Sequence, residues 1–393
     1  MYKRAVVHMD LDSFFVSVER LRNSSFNGKP LIIGGSSNRG VVASCSYEAR
    51  KYGVHSAMPV KMARYLCPDA IFIRGDMDAY SKQSKLVTEV IAEEAPLYEK
   101  ASIDEFYLDL TGMDRHFGCY LWGKELRQKI IRETGLPISF GLSVNKMVSK
   151  VGTGEAKPNG SIQIAAGTEK SFLQPLPISK LPGVGKKTSA RLTHMGVRKI
   201  ATLSRIPPDL LTAEFGKNGR KLWEKANGID DSPIVPYVEQ KSMSSEQTFE
   251  QDSLDIRRIK SMLAKMTGEL AYELRTKQKL TSCITVKIRY ADFNTFTRQK
   301  KITYTSGDKK LCAYADKLFD ELYTRRQMIR LIGVKFSDML NSGKQLNLFE
   351  DELKEDMLLE RMDIIRNKYG KNAVQRASWL LPQSPVAHQK LQS

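Results

Sequence analysis

The sequence predicts an α+β protein built from several domains, and three patterns support this. Short apolar strands and amphipathic helices are mixed over residues 1–165. Basic helices with glycine breaks follow to about residue 232, and a second pattern of strands and helices fills residues 242–341. With 393 residues, 41% of them apolar, the chain is long enough for about two to four domains with buried cores.

The first 165 residues contain strands and helices in mixed order. Apolar runs between turn signals such as Asn-Gly and Gly-Gly predict strands at 4–9, 30–34 and 41–43. Apolar residues at helical spacing predict helices at 47–52, 59–66, 79–93, 121–134 and 145–151. A further strand is predicted at 137–142, and the stretch from Tyr98 to Leu110 predicts two strands joined by a tight turn at Asp104-Glu105. The pattern leaves the parallel or antiparallel order of the sheet open.

The rest of the chain divides at a linker, for which Asn227 to Pro236 is the candidate. The texture before it, from 170 to 230, is helical. Beyond it we expect helices at 254–276 and 309–324, and strands at 282–290, 298–304 and 328–336. A charged helix at 351–368 is also predicted, although the sequence gives it no function.

Charge is unevenly distributed along the chain, whose net charge is +18. Residues 1–110 carry 14 basic and 14 acidic side chains, residues 111–240 carry 20 and 11, and residues 241–340 carry 20 and 12. A basic excess of this size favours a polyanionic partner, nucleic acid before membrane. We therefore expect the neutral first part to carry out the chemistry and the two basic parts to hold a phosphate backbone.

Cysteine spacing and hydropathy exclude several other classes of protein. The five cysteines are scattered without CxxC spacing, which suits a reducing interior and argues against a disulfide framework or a zinc site. No apolar run approaches the roughly 20 residues that cross a bilayer, and the first residues predict no signal peptide. The expectation is a cytoplasmic protein without membrane association.

Two acidic strings are the strongest functional signal. Asp10 ends an apolar run that predicts a strand, and Asp104 and Glu105 lie at the predicted hairpin turn. A single acidic residue at a strand end usually caps a turn. If both strings lie on one sheet, however, their carboxylates can converge on divalent cations, and two Mg²⁺ ions clamp the oxygens of a phosphoryl displacement in many enzymes.

Four motifs in this sequence resemble those of Y-family translesion DNA polymerases, most closely the bacterial DinB type. The catalytic motifs match Met9-Asp10-Leu11-Asp12-Ser13-Phe14-Phe15 and the string from Ser102 to Asp109, while the fingers motif matches Ser44 to Val54 and the late palm motif Ala156 to Gly160. All four occur in the family's order. The resemblance implies a right-hand polymerase with a ferredoxin-like palm, small fingers, a helical thumb with a helix-hairpin-helix motif, and an α+β little finger.

The same resemblance implies a division of the chain into domains. Palm and fingers would occupy 1–165, the thumb 166–232, a linker 233–241, the little finger 242–341, and a tail 342–393.

For the catalytic centre, the resemblance implies two Mg²⁺ ions held by Asp10 and Asp104. Glu105 would be a further metal ligand and the catalytic carboxylate, and the Leu11 carbonyl would add a backbone oxygen. This agrees with elementary chemistry, because a 3′-hydroxyl is a poor nucleophile until a metal lowers its pKa.

Nucleotide contacts follow in the same way. Tyr47 and Arg50 lie three residues apart, hence on one face of a helix, where both can reach phosphate oxygens. An ordinary solvated arginine would be the expectation without the family motif. By resemblance, Ser44 and Lys157 also contact the triphosphate.

Phe15 matches the family's steric gate, a ring that lies under the sugar and excludes a 2′-hydroxyl. Phe14 is assigned to the nucleotide site with a possible share in the core, and both would otherwise be interpreted as core aromatics. Asp12 and Asp109 are expected to be structural.

Two more segments concern partners. Leu181 to Gly185 resembles the hairpin of a helix-hairpin-helix motif, so Gly183, Gly185 and Lys186 are expected to bind a DNA phosphate without reading sequence. The segment Gln345, Leu346, Asn347, Leu348 and Phe349 resembles the bacterial sliding-clamp binding peptide, with a buried amphipathic turn as the alternative. Unlike the simplest family pattern, a tail follows this peptide.

The sequence therefore predicts a monomeric, low-fidelity DNA polymerase for translesion synthesis, with primer-template DNA, dNTPs and a sliding clamp as partners. No second acidic cluster suggests a proofreading exonuclease. A magnesium nuclease would use similar carboxylates, but it would not need Tyr47, Arg50 and Lys157 for a triphosphate. A non-catalytic DNA-binding protein is disfavoured because the three carboxylates are intact.

Overall fold

The structure is a computed structural model that describes residues 3–35, 37, 39–113, 118–341 and 352–379. The chain forms two compact units, Met1–Val238 and Glu239–Ser393. Among the described residues, no helix is long and apolar enough to span a bilayer.

A five-stranded sheet lies at the centre of the first unit. Its strands, in spatial order, are β5 (Tyr98–Lys100), β6 (Glu105–Asp109), β1 (Val6–Leu11), β7 (Ile138–Ser143) and β8 (Ser161–Gln163). The pairs β5–β6, β6–β1 and β1–β7 are antiparallel, whereas β7–β8 is parallel. The order that the sequence left open is thus mainly antiparallel. The three-residue strand β8 was missed because it is too short to show a periodicity.

Four helices pack on this sheet: α1 (Phe14–Arg22), α4 (Met77–Glu94), α5 (Cys119–Thr134) and α6 (Lys146–Ala156). The core between them contains large side chains with almost no exposure, among them Tyr80, Phe106 and Phe140. Helix α6 lies so close to β7 that a Cβ at Gly141 would collide with the backbone of Ser149. This close packing brings the side chains of α6 to the edge of the sheet where the acidic residues lie.

A small three-stranded sheet forms the part predicted as fingers. It contains β3 (Val42–Cys45), β2 (Leu31–Gly34) and β4 (Ile71–Ile73), with helices α2 (Tyr47–Arg50) and α3 (Val60–Leu66). The Ser46 hydroxyl accepts the Ala49 N–H and caps α2. The prediction of a helix over 47–52 was too long, because the amides of Tyr52 and Gly53 bond three residues back and Gly53 has φ +85°.

Five short helices complete the first unit: α7 (Glu169–Leu173), α8 (Lys186–His194), α9 (Ile200–Arg205), α10 (Pro208–Phe215) and α11 (Lys217–Ala226). They enclose a separate apolar cluster that includes Leu192, Leu203 and Leu211. The helical texture predicted for 170–230 is confirmed.

The second unit is a four-stranded antiparallel sheet with helices against it. The spatial order is β11 (Thr295–Thr305), β10 (Lys279–Tyr290), β12 (Ile329–Asn341) and β9 (Ser242–Ser253), with α12 (Ile256–Thr276) and α13 (Asp308–Leu322). Strand β9 was not predicted, because its sequence is largely Ser, Glu and Gln without apolar alternation.

The tail forms helix α14 (Glu352–Tyr369) and a short 3-10 helix, Ala377–Trp379, within the second unit. Arg275 of α12 donates from Nε to Asp363 of α14 at 2.6 Å, and from a terminal nitrogen to the fully buried Asp308 at 2.6 Å. The Trp379 ring lies directly over Gly268 of α12. The charged helix predicted at 351–368 is therefore confirmed as part of this folded unit.

Candidate active site

The two acidic strings meet at one edge of the central sheet. Asp10 of β1 is directly opposite Glu105 of β6, and the Leu11 N–H donates to the Asp104 carbonyl at 3.0 Å. The hydroxyl of Ser102 accepts the backbone N–H groups of both Asp104 and Glu105, which fixes the turn between β5 and β6. The sequence Ser-Ile-Asp-Glu thus sets the local geometry, and the strand register places Asp10 beside it.

A polar cavity of about 170 Å³ opens beside these carboxylates. Its walls include palm residues that the sequence assigned to the site, namely Asp10, Leu11, Phe14, Phe15, Asp104 and Lys157. The predicted fingers residues Ser44 and Arg50 line it from the other side. The structure therefore brings most of the predicted metal and nucleotide residues around one space.

Asp10 is held by Lys157, whose ammonium group donates to the carboxylate at 2.5 Å. Burial raises the pKa of Asp10 from 3.8 to about 6, and the nearby Glu105 and Asp104 carboxylates act in the same direction. Lys157 opposes this rise by favouring the charged form. The site thus concentrates negative charge in a poorly hydrated place.

Glu105 points to a different set of neighbours. The His8 ring, with Nε2 3.8 Å from a Glu105 oxygen, and the Lys150 ammonium, at 2.5 Å, lower the pKa of Glu105 to about 2. His8 itself is buried, and burial lowers its pKa to about 4. Its Nδ1 lies 2.9 Å from the Thr153 hydroxyl. Glu105 is therefore a carboxylate that stays charged over the physiological pH range.

The donor set of this edge suits a hard divalent cation. Carboxylate and backbone oxygens are the ligands that Mg²⁺ and similar ions prefer. Among the described residues, no group of three His, Cys, Asp or Glu side chains lies close enough to count as a ready-made metal cluster. Burial is the main cause of the raised pKa of Asp10, with Glu105 and Asp104 adding to it, and a bound cation would favour the charged carboxylate there.

Tyr47 and Arg50 share one face of α2, as their spacing predicts. The Arg50 guanidinium lies 5.0 Å from the centre of the Tyr47 ring, and its Nε donates to the Cys45 carbonyl. The Tyr47 hydroxyl donates to Asp12 at 3.4 Å, and burial raises the pKa of Tyr47. Tyr47 thus contacts Asp12 through its hydroxyl and packs against Arg50, which lines the cavity.

Phe15 lies flat against Tyr80 of α4. The two ring centres are 4.3 Å apart and the planes differ by 12°. Tyr80 is fixed in turn, because its hydroxyl donates to Glu19 at 2.7 Å and the residue is fully buried. Phe14 is 2% exposed and belongs to the palm core. The Phe15 ring therefore has a rigid support that the sequence did not indicate.

The predicted phosphate-binding hairpin precedes α8. Gly183 has φ +96°, a conformation that favours glycine, and Gly185 is the residue before the helix, which begins at Lys186. Lys225 of α11 donates to the Pro182 carbonyl at 2.9 Å and holds the hairpin in place. The proposed clamp residues Gln345, Leu346, Leu348 and Phe349 lie outside the described residues.

Sequence reasoning missed His8, Tyr80 and Lys150. Lys150 could have been found from the sequence, because Lys146, Lys150 and Lys157 are spaced four and seven residues apart. This spacing places Lys146 and Lys150 on one face of α6, with Lys157 at the end of the helix. His8 and Tyr80 gave no signal, since each resembles an ordinary core residue until strands and helices are assembled.

Three family models match the chain. The impB/mucB/samB family covers residues 9–154, its C-terminal domain covers 240–348, and a DNA polymerase-iota thumb domain covers 179–230.

Curated relatives match along nearly the whole length. A protein of Dehalococcoides mccartyi named DNA polymerase IV is 38% identical over 376 residues, which is 95% of this chain and 96% of that protein. A protein of Treponema denticola with the same name is 36% identical over 384 residues, 96% of this chain and 97% of that protein.

Solved structures agree with the sequence relatives and confirm the predicted fold class. A Y-family DNA polymerase chimera of Dbh and Dpo4 is 28% identical, with a TM-score of 0.77, and covers 86% of this chain and 100% of its own. An insertion ternary complex of Dbh DNA polymerase is 27% identical, with the same coverage and a TM-score of 0.62. This chain therefore belongs to the Y family of DNA polymerases, in the group of the bacterial DNA polymerase IV proteins.

Proposed function

We propose that this chain is a template-directed DNA polymerase that adds deoxynucleotides to a primer 3′-hydroxyl at low fidelity, without a proofreading exonuclease. Membership of the Y family supports the reaction class. One observation carries the proposal to particular residues. Asp10 lies opposite Glu105 across two paired strands, and Asp10 and Asp104 line a cavity together with Phe15 and Arg50.

Divalent metal dependence follows from the family, and we assign the metal ligands to this edge of the sheet. Asp10 and Asp104 would hold two Mg²⁺ ions, with Glu105 and the Leu11 carbonyl as further ligands. When bound, such ions lower the pKa of the primer hydroxyl and offset the charge of the departing pyrophosphate. Glu105 lies on the β6 side of the site, where its neighbours Lys150 and His8 keep it charged. We assign it to the side of the primer hydroxyl.

The triphosphate would lie between fingers and palm. Arg50 presents a guanidinium fork to phosphate oxygens, and Lys157 supplies a point charge. Ser44 lines the same cavity, and Tyr47 lies next to it on Asp12. Phe15, held flat against Tyr80, would exclude a ribose 2′-hydroxyl, and the buried Phe14 would fix the backbone on which Phe15 stands.

Primer-template DNA would be bound by the basic parts of the chain. The N–H groups of Gly183 and Gly185, with the side chain of Lys186, suit a backbone phosphate at the start of α8. Such contacts do not read sequence, as a polymerase requires.

A sliding clamp is the further partner that we propose, bound through Gln345, Leu346, Leu348 and Phe349. The support is the sequence of this segment and its position after the last strand of the second unit. We also propose that the protein works as a monomer, because every residue assigned to catalysis comes from one chain.

A primer-extension assay tests the proposal. Purified protein, primed template, the four dNTPs and Mg²⁺ should give elongated primer, and Asp104→Ala and Glu105→Ala should each abolish it. Elongation that survives both substitutions would contradict the assigned carboxylates. Cleavage of the primer without elongation would instead indicate a nuclease.

A further inference from the structure

Asp12 was expected to be structural, yet its carboxylate is placed where two nucleotide-binding groups meet. It is 2% exposed, so a charge at this position is costly unless it is fully hydrogen-bonded. The usual explanation for an aspartate beside a helix start does not apply. Ser13 is the N-cap of α1, and within the described part of the chain the Asp12 carboxylate accepts from Tyr47, Ser139 and Asn159 and not from an amide of that helix.

The two oxygens of Asp12 face different parts of the molecule. Oδ2 accepts from the Ser139 hydroxyl at 2.8 Å and from the Asn159 N–H at 2.7 Å, both in the palm. Oδ1 accepts from the Tyr47 hydroxyl at 3.4 Å and lies 3.8 Å from the Lys157 ammonium. One oxygen is thus anchored to the sheet, and the other faces the two groups assigned to the triphosphate.

The four polar groups described around the carboxylate are two hydroxyls, a backbone N–H and an ammonium group, and in this arrangement all of them donate to it or face it with positive charge. An ionised carboxylate accepts from all of them at once, whereas the NH2 group of an amide would face either the Lys157 ammonium or the Asn159 N–H, neither of which can accept. The backbone N–H of Asn159 cannot reverse its role. The charge of Asp12, and not only its shape, therefore fits this place.

We propose that Asp12 is a positioning residue for the incoming triphosphate: it fixes Tyr47 of the fingers and Lys157 of the palm relative to each other. This inference rests on the proposed function, since it needs both groups to contact phosphate. Misplacing catalytic or binding groups by about 1 Å can cost a hundredfold in rate. Asp12 acts through its neighbours and touches no reacting atom.

The test is single-nucleotide insertion kinetics on primed DNA with wild type, Asp12→Asn, Tyr47→Phe, Lys157→Ala, and the two double variants that contain Asp12→Asn. We expect Asp12→Asn to raise KM for dNTP by about tenfold or more, with a smaller change in kcat. Inhibition by inorganic tripolyphosphate, which reports on the phosphate pocket without base or sugar, should weaken by a similar factor. Binding of primer-template should stay within about twofold.

The double variants separate positioning from general damage. If Asp12 acts through Tyr47 and Lys157, the effects on KM combine to less than the product of the single effects. The matched control is Asp109→Asn. The Asp109 carboxylate accepts the Thr111 N–H at 2.9 Å and lies at the other end of β6. The KM of the Asp109→Asn variant for dNTP should therefore equal that of wild type.

Three outcomes would contradict these proposals. Two of them concern the positioning role of Asp12, and one concerns the triphosphate site. A loss of thermal stability and kcat at unchanged KM would make Asp12 merely structural. Unchanged KM and tripolyphosphate inhibition in both Tyr47→Phe and Lys157→Ala would instead contradict the proposed triphosphate site. Should Asp12→Asn fail to fold, Ser139→Ala removes one palm anchor alone and should raise KM to a smaller extent, and unchanged KM in that variant would also count against the positioning role.

Discussion

At the scale of single residues, Asp10 shows how the site trades stability for function. A buried carboxylate beside two others is unfavourable, and the pKa of about 6 measures that cost against the ordinary value of 3.8. Lys157 reduces the cost without removing it. Strain of this kind is expected where a protein must keep charge ready for a ligand.

This gives a prediction for Asp10→Asn, measured by urea unfolding in the presence of a chelator. Because the folded pKa is raised, the wild type is most favoured below pH 4 and loses stability as the pH rises through 6. Asparagine does not ionise, so the variant does not lose stability in this way as the pH rises. The free energy of unfolding of Asp10→Asn, relative to wild type, should therefore increase by about 2 kcal/mol between pH 4 and pH 7, because part of the shift from 3.8 to about 6 is already traversed below pH 4.

Asp76→Asn is the matched control for that experiment. Asp76 caps α4, and its hydrogen bond from the Ala79 N–H lowers its pKa below 3.8, so its contribution is lost only at still lower pH. The free energy of unfolding of Asp76→Asn, relative to wild type, should stay constant from pH 4 to pH 7. A constant difference for Asp10→Asn as well would contradict the burial argument.

The support of Phe15 by Tyr80 gives a second prediction. Tyr80→Leu keeps an apolar side chain but removes the flat ring, so Phe15 should tilt and admit ribonucleotides more often. The expected loss of dNTP over rNTP preference is about two- to tenfold, the worth of one aromatic pair. Tyr80→Phe keeps the ring, loses only the bond to Glu19, and should retain the preference. Single-turnover insertion with dNTP and rNTP measures both, and equal preferences in the two variants would remove Tyr80 from this role.

At the scale of elements, the sequence pattern of α14 predicts a helix but does not predict which face of that helix packs against the rest of the second unit. Its charged side chains Asp363 and Arg366 face inward, where Asp363 meets Arg275 of α12. Its apolar side chains Met357, Ile364 and Tyr369 are more than half or about half exposed. Leu359 of the same helix is 2% exposed, so docking combines this buried leucine with the ion pairs and with Trp379.

Gly268→Ala tests that docking. A Cβ at Gly268 would overlap the Trp379 ring, so the tail should detach from α12. We expect faster proteolytic cleavage within 352–379, measured by mass spectrometry of the fragments, while the rest of the chain stays resistant. Gly154→Ala is the control, because that helical glycine has no neighbour within 4 Å of the new Cβ. It should leave cleavage unchanged, and identical cleavage patterns in the two variants would contradict the proposed contact.

At the scale of the whole molecule, the carboxylates proposed for catalysis and most of the excess basic charge lie in different parts of the chain. The carboxylates and the fingers belong to the neutral first 110 residues, and the excess of +9 and +8 falls on residues 111–240 and 241–340. Charge of this kind supports binding to a phosphate backbone regardless of sequence, and such binding weakens steeply with salt.

The clamp peptide gives the prediction at this scale. Replacing Leu348 and Phe349 with Ala together should leave basal primer extension intact, because neither residue belongs to the catalytic unit. Stimulation by the sliding clamp should be lost, since both apolar anchors are removed. Primer extension with and without clamp measures this, and equal stimulation of variant and wild type would contradict the assignment.

The sequence by itself was enough for much of the fold, and it marked carboxylates that the structure brings together. Apolar periodicity located most helices and strands, and four motifs marked the carboxylates Asp10, Asp104 and Glu105. These signals are local, since a strand, a turn or a motif is written in consecutive residues. Strands β4, β8 and β9 were not predicted because they are short or polar. Their neighbouring strands, and not their own sequence pattern, decide how they pair.

Only the tertiary structure decided which distant residues meet. The register of β1 against β6 set Asp10 opposite Glu105, and the close approach of α6 to β7 brought Lys150 to Glu105. The packing of α4 placed Tyr80 under Phe15, and the fingers placed Tyr47 on Asp12. These contacts join residues 35 to 95 positions apart, and the free energy that selects them comes from burying the core as a whole, which no local pattern records.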